Sequence, residues 1–262
     1  MFVRSKILKS THAFSTRLGG ISPHKHTAEL NLAFDRGDDD AIVLLNLELF
    51  AKEAEFDHNC VVAVSQIHSD IIREVGKESR GIGYYNREDV PSCDGLFTGE
   101  CGVALGVKTA DCVPILFEAE KDGEIVAVGA VHSGWRGTAL GIAPKCVRMM
   151  SERFGVNSEN IRAAIGPCIG KCCYEVSGDV FDAIKESHGH EAATLFVTKS
   201  PLNKGKYFCD LSGLNAFLLK KAGLLEENVD IIGECTFCNH EKYFSHRYTN
   251  GYRGTMLNII CR

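Results

Sequence analysis

His68, Cys112 and His132 stand at the edges of three apolar, β-branched runs: His68 just after residues 61–67, Cys112 just before 113–117, and His132 just after 125–131. Such runs read as strands. A strand end is rigid on one side and open to a loop on the other, so side chains from three strand ends can converge on a point with fixed geometry. Two imidazoles and a thiolate are donors that a catalytic zinc takes when it keeps a fourth position for water or substrate. The same residues fit two other readings. Cys112 attacking with His132 as base would do nucleophilic chemistry without a metal. With no short-range ligand motif joining them, each could also be an ordinary half-buried side chain.

The loop after His132, Ser133-Gly134-Trp135-Arg136-Gly137-Thr138, joins a strand to a helix. Its two glycines let the backbone approach a ligand closely, and Arg136 can grip an oxyanion through two hydrogen bonds. It matches neither a Walker loop nor a dinucleotide fingerprint. Trp135, the only tryptophan, fits either a core or rim aromatic or a contact with a ring-bearing ligand.

The elements that must position these residues are short. Helices are expected over 38–54, with Asp at the positive end, over 145–154, closed by Gly155, and over 177–188 and 210–222, the last ended by Gly223. The 145–154 helix starts either at Thr138, with a kink at Pro144, or just before Pro144. Strands are expected at 60–67, 102–107, 112–117, 125–131, 161–165, 194–198, 229–233 and 255–260. Strands and helices mix without strict alternation, which favours an α+β fold over a doubly wound parallel sheet. Without a linker or repeat, residues 1–262 read as a single domain.

Composition narrows the class. With 45% hydrophobic and 24% charged residues and a net charge of -5, the chain is of ordinary globular type. No basic run suggests nucleic-acid binding. No export signal or bilayer-length apolar stretch is visible, so a cytoplasmic protein without membrane attachment is expected. Its 12 cysteines therefore read as reduced thiols. Cys235-Thr-Phe-Cys238 is taken as structural, because no partner C-x-x-C lies at the usual distance. Cys168, Cys172 and Cys173 cluster in a Gly-Pro-rich turn, where a disulfide on oxidation and plain backbone packing are both open.

Gln66-Ile-His68, Thr109-Ala-Asp-Cys-Val-Pro114, Val131-His-Ser-Gly-Trp-Arg-Gly-Thr138, Ile165-Gly-Pro-Cys-Ile-Gly170, Cys173-Tyr-Glu-Val176 and Phe244-Ser-His-Arg247, with Thr16-Arg-Leu-Gly-Gly20 and Leu30-Asn-Leu32, occur in this order. Together they resemble the YfiH-like, laccase-domain family over nearly the whole chain. The resemblance implies a fold similar to the catalytic domain of cytotoxic necrotising factor, a single mixed α+β domain with large sheets flanked by helices. It implies zinc-dependent phosphorolysis of adenosine, inosine and methylthioadenosine, with adenosine deamination as a second reaction. The family was first described as a multicopper polyphenol oxidase, so copper is the alternative cofactor. It further implies that His68, Cys112 and His132 hold the metal, and that Arg247 faces the same pocket and, with Arg136, receives phosphate. Asn31 and Gln66 would contact substrate through their amides. Asp111, next to a ligand, would act as acid–base group or orient a histidine. The expected partners are a purine nucleoside and phosphate, in a monomer or small homo-oligomer. Two rivals stand beside this reading: a metal-free Cys–His hydrolase, and a copper oxidase, for which only His68 and His132 among 10 histidines are well placed.

Overall fold

The computed structural model describes residues 1–201 and 203–262. Its strands are β1 (Phe2–Val3), β2 (Thr11–Ser15), β3 (Val61–Ala63), β4 (Ile72–Glu74), β5 (Gly95–Thr98), β6 (Ala104–Thr109), β7 (Val113–Lys121), β8 (Glu124–Ser133), β9 (Ile161–Ile165), β10 (Glu175–Ser177), β11 (Val197–Lys199), β12 (Lys206–Cys209), β13 (Val229–Ile231) and β14 (Met256–Cys261). The helices are α1 (Asp40–Ala54), α2 (Trp135–Ala139), α3 (Ile142–Phe154), α4 (Gly178–Phe196), α5 (Leu211–Lys221) and α6 (His246–Thr249). One mixed sheet has the order β1-β2-β14-β6-β3, a second the order β13-β9-β7-β8-β5-β4, and a small antiparallel sheet the order β10-β12-β11.

Alternation along the strands sets the layers. Val62, Leu105, Val107 and Ile260 from the first large sheet meet Leu96, Leu116, Val128 and Ala130 from the second in one buried cluster. The opposite face of the first sheet, through Val61, Ala63, Leu257 and Ile259, packs on Val43, Leu47 and Phe50 of α1. The opposite face of the second, through Ile115, Phe117, Ala127 and Val131, packs on Ile142, Cys146, Ile184 and Leu214 of α3, α4 and α5. The result is a helix–sheet–sheet–helix stack, the mixed α/β architecture expected. Because both faces of the central strands are covered, they are apolar almost throughout, which is what made them legible. No helix of the described residues is long and apolar enough to cross a membrane.

Helix ends follow local chemistry. Asp39 caps α1 by accepting from the Ala41 N–H, and Asp210 caps α5 by accepting from Gly213 N–H. The undecided start before residue 145 resolves into two helices. Gly141, at φ +73°, breaks the chain between α2 and α3. Pro144 then falls in the first turn of α3, where its missing N–H needs no helical partner. The strand expected at 194–198 is corrected: α4 is two helices joined across Gly189 (φ 89°, ψ 165°), the second running to Phe196, and only Val197–Lys199 is extended. That conformation, which glycine adopts without a Cβ penalty, ends the first helix at His188. The run at 60–67 pairs as a strand only over Val61–Ala63, and beyond it Ser65 bridges Ser92 in a single contact. This leaves Gln66 and His68 in a loop.

Candidate metal centre

The β7–β8 hairpin brings two of the three candidate ligands together. Its register pairs Pro114 with His132 and Val113 with Ser133, so Cys112 comes off the start of β7 beside the end of β8. His68 arrives from the loop beyond β3. The ligating atoms of His68, Cys112 and His132 all lie within 4.8 Å of one another. The two imidazole rings meet edge to face, with centroids 4.9 Å apart and planes at 81°. His132 is buried, Cys112 half-buried and His68 exposed, so one face of the group opens outward.

Asp94 holds this arrangement. Its backbone carbonyl accepts from the His132 N–H at 2.7 Å, an extension of the pairing between β5 and β8. Its carboxylate is fully buried. Oδ1 accepts from the His68 N–H at 3.0 Å and bonds His132 Nδ1 at 2.8 Å. Oδ2 accepts from the N–H groups of Ile67 and Ser69 at 3.2 and 2.7 Å and from Ser69 Oγ at 2.8 Å. Those bonds fold the 67–69 turn, in which His68 sits at φ +62°, a conformation that an L residue keeps only when its surroundings impose it. Burial alone would raise the Asp94 pKa, but the bonds from His132 and Ser69 outweigh it and hold the carboxyl at about 2. With Nδ1 bonded to Asp94, His132 turns Nε2 toward the centre, where a metal ion would take the place of its proton.

The thiol is tuned the same way. Burial pushes the Cys112 pKa up, yet the charge of His132 and hydrogen bonds from both histidines bring it down to about 6. Burial disfavours charge on His132, but the Cys112 thiolate and Asp94 raise it to about 9. Gly134 forms the floor. A Cβ there would stand 3.2 Å from Cys112 Sγ, 3.3 Å from His68 Cδ2 and 3.7 Å from His132 Cε1, filling the space between the ligands. A donor set of two nitrogens and one sulfur, a free face and a glycine floor fit a three-ligand metal ion.

The ligands open into a cavity of about 320 Å³ that is also lined by Phe34, Arg36, Gln66, Lys108 and Arg253. Arg253 Nε is buried without a hydrogen-bond partner. Its Nη1 is occupied by the Gly254 carbonyl at 3.1 Å and Thr255 Oγ1 at 2.6 Å. Burial, then the neighbouring Arg36 guanidinium, lower its pKa to about 10, which leaves it charged at neutral pH. Burial followed by Arg36 also lowers that of Lys108. Three cations and one carboxylate, Asp35, line the cavity, and among the described residues none of the three cations forms an ion pair.

Of the other sequence candidates only Gln66 reaches the cavity. Gln66 lines the cavity, but its amide pairs with the Lys108 main chain, donating to the carbonyl and accepting from the N–H, both at 2.7 Å. Asn31 is fully buried. It donates to the Ala33 carbonyl and Asp38 and accepts from the Thr255 N–H, so it braces loops. Asp111, at φ +97°, accepts from Thr236 Oγ1 at 2.6 Å and from the Arg247 N–H at 2.7 Å. Both of its oxygens are thus engaged, and it bonds no histidine. Arg247 stacks over Tyr174 at 5.2 Å and donates to the Glu175 carbonyl at 2.9 Å. Arg136 is exposed, with its guanidinium 4.3 Å from the Trp135 ring. Neither arginine lines the cavity. The cations that do, and Asp94, were not singled out in the sequence. A charged residue inside an apolar strand, Lys108, was the one local signal available.

A family model described as multi-copper polyphenol oxidoreductase laccase matches residues 11–262. The purine nucleoside phosphorylase YlmD of Geobacillus stearothermophilus is 37% identical over 249 residues, covering 95% of this chain and 88% of that protein. An adenosine deaminase, RL5, from an unknown prokaryotic organism is 34% identical over 245 residues, 93% of this chain and 90% of that one. The crystal structure of Bacillus licheniformis YfiH superimposes with a TM-score of 0.88 at 33% identity, covering 95% of this chain and 91% of that one. Over the length that carries the candidate metal centre, the chain belongs to the multi-copper polyphenol oxidoreductase laccase family, among relatives named as purine nucleoside phosphorylases and an adenosine deaminase.

Proposed function

We propose that the chain is a zinc-dependent purine nucleoside phosphorylase acting on adenosine, inosine and methylthioadenosine, with adenosine deamination as a second reaction of the same site. The observation that carries this reading is the pairing of one His68–Cys112–His132 centre with the cations Arg36, Lys108 and Arg253 around a single cavity. In phosphorolysis a phosphate oxygen bonds to C1′ of the ribose while the C1′–N9 bond breaks and its electron pair leaves with the purine. Arg36, Lys108 and Arg253 would hold and orient the phosphate. Phe34 supplies an apolar wall for the nucleoside. Zinc, held by His68, Cys112 and His132, supplies Lewis acidity at the face those residues leave open. Asp94 keeps the His132 tautomer that makes this possible. Arg247 and Asp111 join the reading as positioning residues, since they brace the turn carrying Cys112.

Zinc is preferred over copper on ligand count. Multicopper chemistry needs several histidine-rich sites. Among the described residues, the only groups of three or more convergent ligands are this one and a set of four cysteines. The test is to incubate zinc-replete protein with adenosine, with and without phosphate, and separate the products. Adenine and ribose 1-phosphate are expected only with phosphate, and inosine in both arms. Formation of none of these, with a phenol oxidised by the copper-loaded protein, would reverse the assignment.

A further inference from the structure

Cys172 and Cys173, in the loop between β9 and β10, meet Cys235 and Cys238, in the loop between β13 and α6. All four Sγ atoms lie within 4.8 Å of one another. Cys238 Sγ stands 3.4 Å from that of Cys173 and 3.6 Å from that of Cys172. Four thiolates at about 2.3 Å around a tetrahedral zinc ion would be about 3.8 Å apart. An iron–sulfur cluster spreads its cysteines farther, because irons and sulfides stand between them. A disulfide needs about 2.05 Å and joins only two sulfurs.

The backbone around the group is built to bring the sulfurs together. The two loops are joined main chain to main chain: Cys168 N–H donates to the Glu234 carbonyl at 3.3 Å, and Thr236 N–H to the Cys168 carbonyl at 2.9 Å. Gly170 N–H donates to Cys235 Sγ at 3.2 Å, a bond that favours thiolate. A Cβ on Gly170 would come within 3.2 Å of both Cys172 Sγ and Cys235 Cβ, so the loops approach as closely as they do only with glycine there. Cys172 and Cys238 are exposed, which leaves an ion a way in. The C-x-x-C pair thus has its partners after all, supplied by adjacent cysteines rather than a second C-x-x-C.

We propose that Cys172, Cys173, Cys235 and Cys238 form a second, structural zinc site that clips the 168–175 loop to the 235–238 turn. Both clipped segments hold the Asp111 turn, Ile169 N–H through the Asp111 carbonyl at 2.9 Å and Thr236 through its carboxylate. Four protein ligands close the site, so its role is to fix structure rather than to bind substrate. The proposal stands independently of the nucleoside chemistry.

The whole chain, isolated in reducing buffer and dialysed against zinc, is expected to carry about two zinc ions by elemental mass spectrometry, and the Cys172→Ser/Cys238→Ser variant about one. Because both substituted side chains are exposed, the variant should fold. Cobalt loading should give the intense thiolate-to-metal absorption of a four-sulfur site in the native chain and lose it in the variant. Native alkylation followed by peptide mapping requires no variant: the four cysteines should be protected as a set in the zinc-loaded chain and labelled together after chelation. A native chain that holds no more zinc than the Cys172→Ser/Cys238→Ser variant, or equal labelling of the four with and without zinc, would overturn the proposal.

Discussion

Asp94→Asn tests the logic of the metal centre most directly. The carboxylate receives five contacts, two on Oδ1 and three on Oδ2, and an amide offers one oxygen. If the oxygen stays with Ile67 and Ser69, the new NH2 faces His68 N–H and His132 Nδ1. The His68 N–H then loses its partner in a partly buried place, at about 1 kcal/mol. His132 can accept from the amide only by moving its proton to Nε2, which removes the lone pair aimed at the metal. Loss of such a supporting contact typically weakens metal binding by about 10–100-fold. Acid dependence gives a second readout. The Asp94 pKa of about 2 lies below the usual 3.8. Its ionised form therefore contributes about 2 kcal/mol above pH 3.8, and this is lost as pH falls through 2. Zinc affinity should be read by chelator competition in the Cys172→Ser/Cys238→Ser background, and stability by urea unfolding of the metal-free chain between pH 7 and 3. The difference between the native chain and the Asp94→Asn variant should narrow toward low pH. Zinc affinity within about threefold of the parent's, or a stability gap that does not change with pH, would refute the reasoning.

Three further outcomes follow from the same geometry. Gly134→Ala should lower zinc affinity by at least about 10-fold with little change in fold, since its Cβ would stand 3.2 Å from Cys112 Sγ. Paired titration and circular dichroism check this. Arg253→Gln and Lys108→Ala should each raise the KM for phosphate by about 10-fold or more while leaving phosphate-free deamination within about threefold, as removal of a charge-assisted bond predicts; steady-state kinetics in both modes separates the two. Asn215→Ala should destabilise the chain by about 2–4 kcal/mol in urea unfolding. Its buried amide accepts from Ser133 Oγ at 2.9 Å and donates to Thr138 Oγ1 at 3.1 Å, tying α5 to the end of β8 and to α2.

Much of the fold was legible before the structure. Central strands covered on both faces are apolar runs, and Asp39 and Asp210 cap the starts of α1 and α5. His68, Cys112 and His132 could be nominated because each borders such a run, so their place in the fold follows from their neighbours in sequence. Edge elements were harder: β1, β4 and β10 are two or three residues long, too short for a period to declare itself. The 194–198 segment went wrong because a second short helix follows Gly189 and runs to Phe196, leaving only Val197–Lys199 extended.

Asp94, Arg253, Lys108 and the four-cysteine group were decided by tertiary structure alone. Asp94 reaches both histidines because β5 pairs with β8 in one register, and a slip of one residue would aim its carboxylate away. Asn31 and Arg136 have the right chemistry in the sequence, but the fold spends the first on loop bracing and turns the second outward. The chain therefore specified by itself which groups could do chemistry and where the rigid strands lie. Which of those groups face one another depended on strand register and loop contact, and these are distances that run through space rather than along the backbone.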